Sequence, residues 1–205
     1  MTPQLYLASR SPRRAELLSQ LGVRFAVVDA EVEERRSHGQ SPADYARATA
    51  LAKARAGLAH LESMPTAQRD AAIPVLGADT DVVLDDDILG KPRDADDAVR
   101  MLLRLSDRSH EVYSAVAVIG AAGADVALSV TRVEFGAITA AQARDYWHSG
   151  EPVGKAGAYA IQGYAARWVR AIAGSYSGVV GLPLFETAQL LERHGLAIGA
   201  VAECA

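Results

Sequence analysis

A chain of 205 residues, half of them apolar and 22% charged, with a net charge of −4, holds enough apolar material for a sizeable core and is not generally disordered. The acidic balance excludes a broad nucleic-acid-binding surface but leaves room for a small basic pocket. The single cysteine, Cys204, excludes a disulfide framework and a cysteine-based metal site. No stretch approaches the roughly 20 apolar residues of a membrane span, and the first residues lack the pattern of a secretory signal. The expectation is one cytoplasmic α/β domain, residues 1–205, with two lobes.

Leu5-Tyr6-Leu7-Ala8-Ser9 reads as a short apolar strand ending in a serine. Ser11 and Pro12 suit the cap and first position of a helix whose apolar stripe is Leu17, Leu18 and Leu21. Arg13 and Arg14 fall in its first turn, where the macrodipole disfavours cations unless an anion faces them. Either they are solvated surface, or they complete a phosphate site with Ser9, Ser11 and the turn amides. Residues 23–28 read as a second strand, followed by an acidic loop carrying Glu33 and Glu34. Ser41-Pro42-Ala43-Asp44 starts a helix to about Ala59. Tyr45, Ala48, Ala52 and Ala56 lie near one of its faces. Lys53 beside them either snorkels to solvent or reaches a cleft.

Residues 75–84 read as a buried strand interrupted by Gly77-Ala78-Asp79-Thr80-Asp81. Asp79 and Asp81 then share a face, about 6.6 Å apart along the strand. Mid-strand carboxylates are costly unless paired or metal-bound, and two on one face suit a divalent cation. A solvent-facing edge is the alternative for Asp81. Asp85-Asp86-Asp87 is a turn, Ile88-Leu89 a short partner strand, and Lys91 is held between Gly90 and Pro92. Asp94 caps a structural helix with Ala98, Met101, Leu102 and Leu105 at core spacing. Residues 110–119 and 126–135 read as antiparallel strands around a turn at 120–125, and Thr139 to Gln142 as a capping box for a helix to about His148. The glycine-dense stretch 150–163 matches neither a nucleotide-binding G-x-x-x-x-G-K-[ST] loop nor a G-x-G-x-x-G unit. Its Gln162 amide, donor and acceptor both, suits a base edge. A strand at 168–172, a turn at 174–178 and a last helix opened by Gly181-Leu182-Pro183, with Gly195 as its stop, complete the chain. Early alternation and antiparallel pairing in the middle point to a mixed twisted sheet with flanking helices and a central cleft.

Several segments, in order and over nearly the whole chain, resemble the Maf family of nucleoside triphosphate pyrophosphatases. They are Leu7-Ala8-Ser9 with Ser11 to Arg14, Glu33-Glu34, Lys53-Ala54, Gly77 to Thr80, Leu89 to Pro92, Gly150-Glu151-Pro152, Lys155 to Tyr159 with Ile161-Gln162-Gly163, and Gly174-Ser175-Tyr176 with Val179 to Pro183. The resemblance implies a fold like that of inosine triphosphate pyrophosphatases. It implies hydrolysis of a nucleoside triphosphate to the monophosphate and pyrophosphate with Mg²⁺ or Mn²⁺, in a cytoplasmic homodimer. Asp79 would be the proton acceptor. Arg13, Thr80 and Gln162 resemble the branch acting on dTTP and UTP, not the one acting on 7-methyl-GTP. On this reading Glu33, Glu34 and Asp79 hold the metal. Ser9, Arg13, Arg14, Lys53, Thr80, Lys91 and Gln162 bind the substrate. Two positions depart from the family pattern: Gly154, where an aspartate is common, and Asp81, where an apolar residue is usual. A different class of reading, a nucleotide-sensing binding protein that inhibits septum formation, needs the cation clamp but no base.

Overall fold

The computed structural model describes residues 2–65, 70 and 72–199. Cys204 and Thr66 lie outside them. The chain runs β1 (Leu5–Leu7), α1 (Pro12–Gln20), β2 (Phe25–Val27), α2 (Pro42–Ser63), β3 (Val75–Leu84), β4 (Asp87–Leu89), α3 (Ala95–Leu105), β5 (Ser109–Gly120), β6 (Gly123–Phe135), α4 (Ala140–His148), β7 (Val169–Ala173), α5 (Tyr176–Val180) and α6 (Leu184–Arg193). Short 3₁₀ turns occupy Ala156–Ala158 and Tyr164–Trp168. The strands form one seven-stranded sheet of order β2-β1-β3-β5-β6-β7, with β4 beside the far end of β3. The β1 strand is parallel to β2 and β3, and every other pairing is antiparallel. This is the mixed α/β sheet expected from the alternation of patterns.

Strand geometry sends successive side chains to opposite faces, and β3 uses this to divide its labour. Leu76 and Ala78 join Leu5, Leu7, Val116 and Leu191 in a core under α1 and α6. Val82 and Leu84 join Leu102, Phe135, Tyr146 and Trp168 in a second core under α3 and α4. Thr80 lies between these two cores on the same face, opposite Ser114 in register, with the two hydroxyl oxygens 3.3 Å apart. Gly77, Asp79 and Asp81 therefore point the other way, toward α2.

That helix rests on a layer of small residues: Ala46, Ala50 and Ala54 against Ala115 and Ala117. Gly77 permits the close approach, because a methyl group there would overlap the Ala50 carbonyl oxygen and the Ala54 backbone nitrogen. The buried face of α2 is thus Tyr45, Ala46, Thr49, Ala50, Ala54, Gly57 and Leu61, and the helix extends to Ser63. The expected face of Tyr45, Ala48, Ala52 and Ala56 holds only at Tyr45; Ala48 is exposed. Alanine on all sides supplies no hydrophobic contrast, so the sheet decides the rotation.

Other corrections are local. Ser11 caps α1 by position but makes no side-chain cap; Ser9 Oγ instead accepts from the Ser11 amide at 3.2 Å. The turn between β5 and β6 is only Ala121-Ala122, because pairing runs on to Gly120 and Gly123. The expected turn at 174–178 is the start of α5, since Ser175 Oγ accepts from the Gly178 amide and works as an N-cap. The capping box at Thr139 and Gln142 forms as expected, and Gly195, at φ +80°, follows α6. No helix of the described residues is long and apolar enough to cross a membrane.

Candidate active site

A cleft of 610 Å³ opens where the two cores meet, lined by residues of α1, α2, β3, the Gly90-Lys91 loop, residues 153–162 and the α5 end. Its volume falls in the range of small-molecule sites, roughly 300–1,000 Å³. Its wall toward α2 is acidic. Asp79 and Asp81 are both buried, and Glu34 approaches from the loop after β2. Lys53 bridges them, its Nζ 2.7 Å from both Glu34 Oε1 and Asp79 Oδ1. Lys91 Nζ reaches Glu34 Oε2 at 3.4 Å from the solvent side. Burial works to raise the Glu34 carboxyl, but the bond to Lys53 and the charges of Lys53 and Lys91 outweigh it and leave it below its ordinary value. Asp81 goes the opposite way. Burial, and then the charge of Asp79, push its carboxyl well above the ordinary range, and its Oδ2 is buried without a hydrogen-bond partner. Tyr45 closes the back of this wall; burial and the nearby carboxylates raise its hydroxyl to about 12, so it stays protonated.

The opposite wall is basic. Arg14 is tied to three elements: Nε donates to the Gly181 carbonyl at 2.9 Å, Nη1 to Ser9 Oγ at 3.3 Å and Nη2 to Thr80 Oγ1 at 3.4 Å. Arg13 Nε donates to the Val180 carbonyl at 3.3 Å. The α1 start therefore carries its two arginines against the α5–α6 junction. Lys155, from the glycine-dense stretch, lines the same cleft. Burial and then the charge of Arg13 lower its ammonium pKa, and burial lowers that of the Arg13 guanidinium. Cations crowded together with their affinity for protons reduced make a site for an anion. Gly157 donates its N–H to the Gly90 carbonyl at 3.1 Å, so the Lys155 and Lys91 loops are joined. Gln162 sits exposed on the cleft rim.

The structure thus gathers Ser9, Arg13, Arg14, Glu34, Lys53, Asp79, Thr80, Lys91 and Gln162 around one cleft. Glu33 is not among them: it is exposed and salt-bridged to Arg35 at 2.7 Å. The expected metal set of Glu33, Glu34 and Asp79 is accordingly not assembled, because Glu33 is held by Arg35 while Glu34 is drawn to Lys53. Among the described residues no group of three or more acidic, histidine or cysteine side chains is arranged to hold a metal ion. Lys53 differs from its expected place on a phosphate, as its ammonium is engaged by two carboxylates. Lys155 is a further cleft cation, outside the expected substrate-binding set. Its signal was a lone lysine among the glycines at 150, 154, 157 and 163.

The family model described as Maf-like protein matches residues 4–194. The chain belongs to the Maf family. Among Maf relatives, a Xanthomonas campestris pv. campestris protein named dTTP/UTP pyrophosphatase is 52% identical over 93% of this chain and 98% of its own length. Proteins of the same name from Saccharophagus degradans and Cupriavidus pinatubonensis are each 50% identical, over 92% and 96% of this chain and 87% and 99% of their own lengths. Among solved structures, the Staphylococcus aureus Ham1 protein aligns at a TM-score of 0.40 and 14% identity over 64% of this chain and 71% of its own. That likeness is too slight to bear on the Maf site.

Proposed function

We propose that this chain hydrolyses dTTP and UTP to the monophosphate and pyrophosphate. The observation that carries the reading is the cleft itself, in which buried carboxylates face crowded cations. The names of relatives at about half identity support the same substrates. Arg13, Arg14, Lys155 and Lys91 hold the triphosphate by charge-assisted hydrogen bonds. Asp79 takes a proton from water as its oxygen attacks the α-phosphorus, and the α–β anhydride bond breaks to release pyrophosphate. Lys53 fixes the Asp79 carboxylate through Oδ1. Asp81, retaining its proton to higher pH than an ordinary carboxyl, spares the pocket a further negative charge. Thr80 and Gln162 select the base.

The divalent cation implied by the family fits the residues present. Mg²⁺ is commonly held by one or two carboxylates together with substrate phosphates, not by a full protein cage. Glu34 and Asp79, which both line the cleft, would supply such oxygens. When bound, the ion neutralises charge on the phosphates. A homodimer in the cytoplasm, without a nucleic-acid partner, is the assembly we propose, on the family resemblance and the net charge of −4.

The test is pyrophosphate release from each common nucleoside triphosphate, with Mg²⁺ and with chelator. Release from dTTP and UTP, weak release from purine triphosphates and silence with chelator are expected. Nucleotide binding with no release from any of them would overturn the hydrolase reading in favour of the septum-inhibiting sensor.

A further inference from the structure

Gln162 lies in an irregular turn whose own backbone ladder is short, yet its amide must be held still to choose between bases. The two backbone N–H groups at equal distance on either side of it are both gripped by side chains from α4 and its exit. The Ala160 amide donates to the Tyr146 hydroxyl at 3.1 Å, and the Tyr164 amide donates to Glu151 Oε2 at 2.9 Å. The Tyr146 hydroxyl in turn donates to Glu151 Oε1, so the two grips are one unit. The turn lies directly on the carboxylate: a methyl group at Gly163 would overlap it. The unit has a firm mounting. Tyr146 is 1% exposed and meets Trp168 edge-on at 5.2 Å. Ser149 Oγ accepts from the Glu151 amide at 3.2 Å and donates to the Tyr146 carbonyl at 2.6 Å.

We propose that Glu151 and Tyr146 are positioning residues for base selection, acting on the substrate through the turn that carries Gln162. This rests on the pyrimidine triphosphate reading given above. The competing role is a plain structural cap on the 3₁₀ turn Tyr164–Trp168, which would affect stability and nothing else. The two roles separate kinetically. A loosened turn weakens recognition of the base, so it raises KM and erodes preference, whereas Asp79 and kcat stay as they are; loss of the Glu151 charge near Lys155 would move both triphosphates alike and leave the preference.

The experiment measures kcat and KM for dTTP and dGTP, with melting temperatures, in wild type, Glu151→Ala, Glu151→Gln and Tyr146→Phe. Glu151→Ala should raise KM for dTTP about tenfold and reduce the dTTP over dGTP preference by about as much, with kcat within about threefold; tenfold is within the loss that a misplacement of the order of 1 Å brings. Tyr146→Phe should move the same two quantities in the same direction. Glu151→Gln keeps an acceptor for the Tyr164 amide and should restore most of the preference. Should Glu151→Ala not fold, Tyr146→Phe and Glu151→Gln decide alone. Variants that melt lower but keep wild-type KM and preference overturn the proposal and leave the cap. A wild type without preference for dTTP overturns the pyrimidine reading itself, and this one with it.

Discussion

Replacing Lys53 with methionine keeps the length of the stem and removes the ammonium that joins Glu34 to Asp79. The lysine side chain is 13% exposed, Asp79 8% and Glu34 35%, with both contacts at 2.7 Å. A hydrogen bond to a charged group contributes about 1.5–3 kcal/mol. Taking the Asp79 contact in full and halving the Glu34 contact for solvent screening gives roughly 2–4 kcal/mol. In a chain of this size each kcal/mol moves the melting temperature by about 2–4 °C, so Lys53→Met should melt roughly 4–16 °C lower near pH 7.5. The pH dependence has a definite sign. Glu34 is held below its ordinary 4.5 in the fold, so its share of the stabilisation is complete above that pH and is lost as pH falls through the lower, folded value. The gap between the melts of wild type and variant should therefore narrow, by the Glu34 share, on acidification below about pH 4.5. A difference under about 2 °C at pH 7.5, or one that widens in acid, would refute the bridge as a stabilising contact.

Asp79→Asn should reduce turnover by about 10²-fold or more, as expected of a general base, in a variant that stays folded and melts lower by no more than Lys53→Met, since it loses the same Lys53 contact; a variant with near-normal pyrophosphate release ends that assignment. His110 is buried against Phe135 and Tyr159, and burial lowers its pKa from 6.5 to about 4. A depressed histidine contributes stability that is present above pH 6.5 and lost as pH falls toward 4. Urea titrations should thus show up to about 3 kcal/mol lost across that window, and His110→Phe should lack this part of the slope. Gly77→Ala pushes a methyl group into the α2 backbone and should cost about 3 kcal/mol or more, read as a shift of the urea midpoint, since rigid backbone cannot yield as a side chain does. A midpoint unchanged by Gly77→Ala would mean that α2 does not sit as described.

Where residue chemistry is local, the sequence was legible. The caps at Ser41, Asp94 and Thr139 mark helix starts that form with their side-chain bonds in place. The period of two in β3 places Asp79 and Asp81 on one face, and the two arginines in a first turn point to the cleft that α1 enters. What the sequence hid depends on distant partners. The rotation of α2 is fixed by Gly77 beneath it, which no reading of an alanine-rich helix supplies. Glu33 and Glu34 are equivalent on paper, and only the loop path turns one to Lys53 and the other to Arg35. Glu151 acts across 13 positions on Tyr164, a separation without a local signature.

The alanine layer under α2 has a consequence beyond packing. Lysine has a fixed reach, so the thickness of that layer works as a gauge that sets whether the Lys53 ammonium meets Asp79. Larger apolar side chains at Ala50 or Ala115 would be an obvious route to a fuller interior. They would also lift the helix and withdraw the lysine, so the enzyme's chemistry limits how densely this part of its interior can be filled. On the proposed reading, the demand for a proton transfer at Asp79 reaches methyl groups that line no part of the cleft.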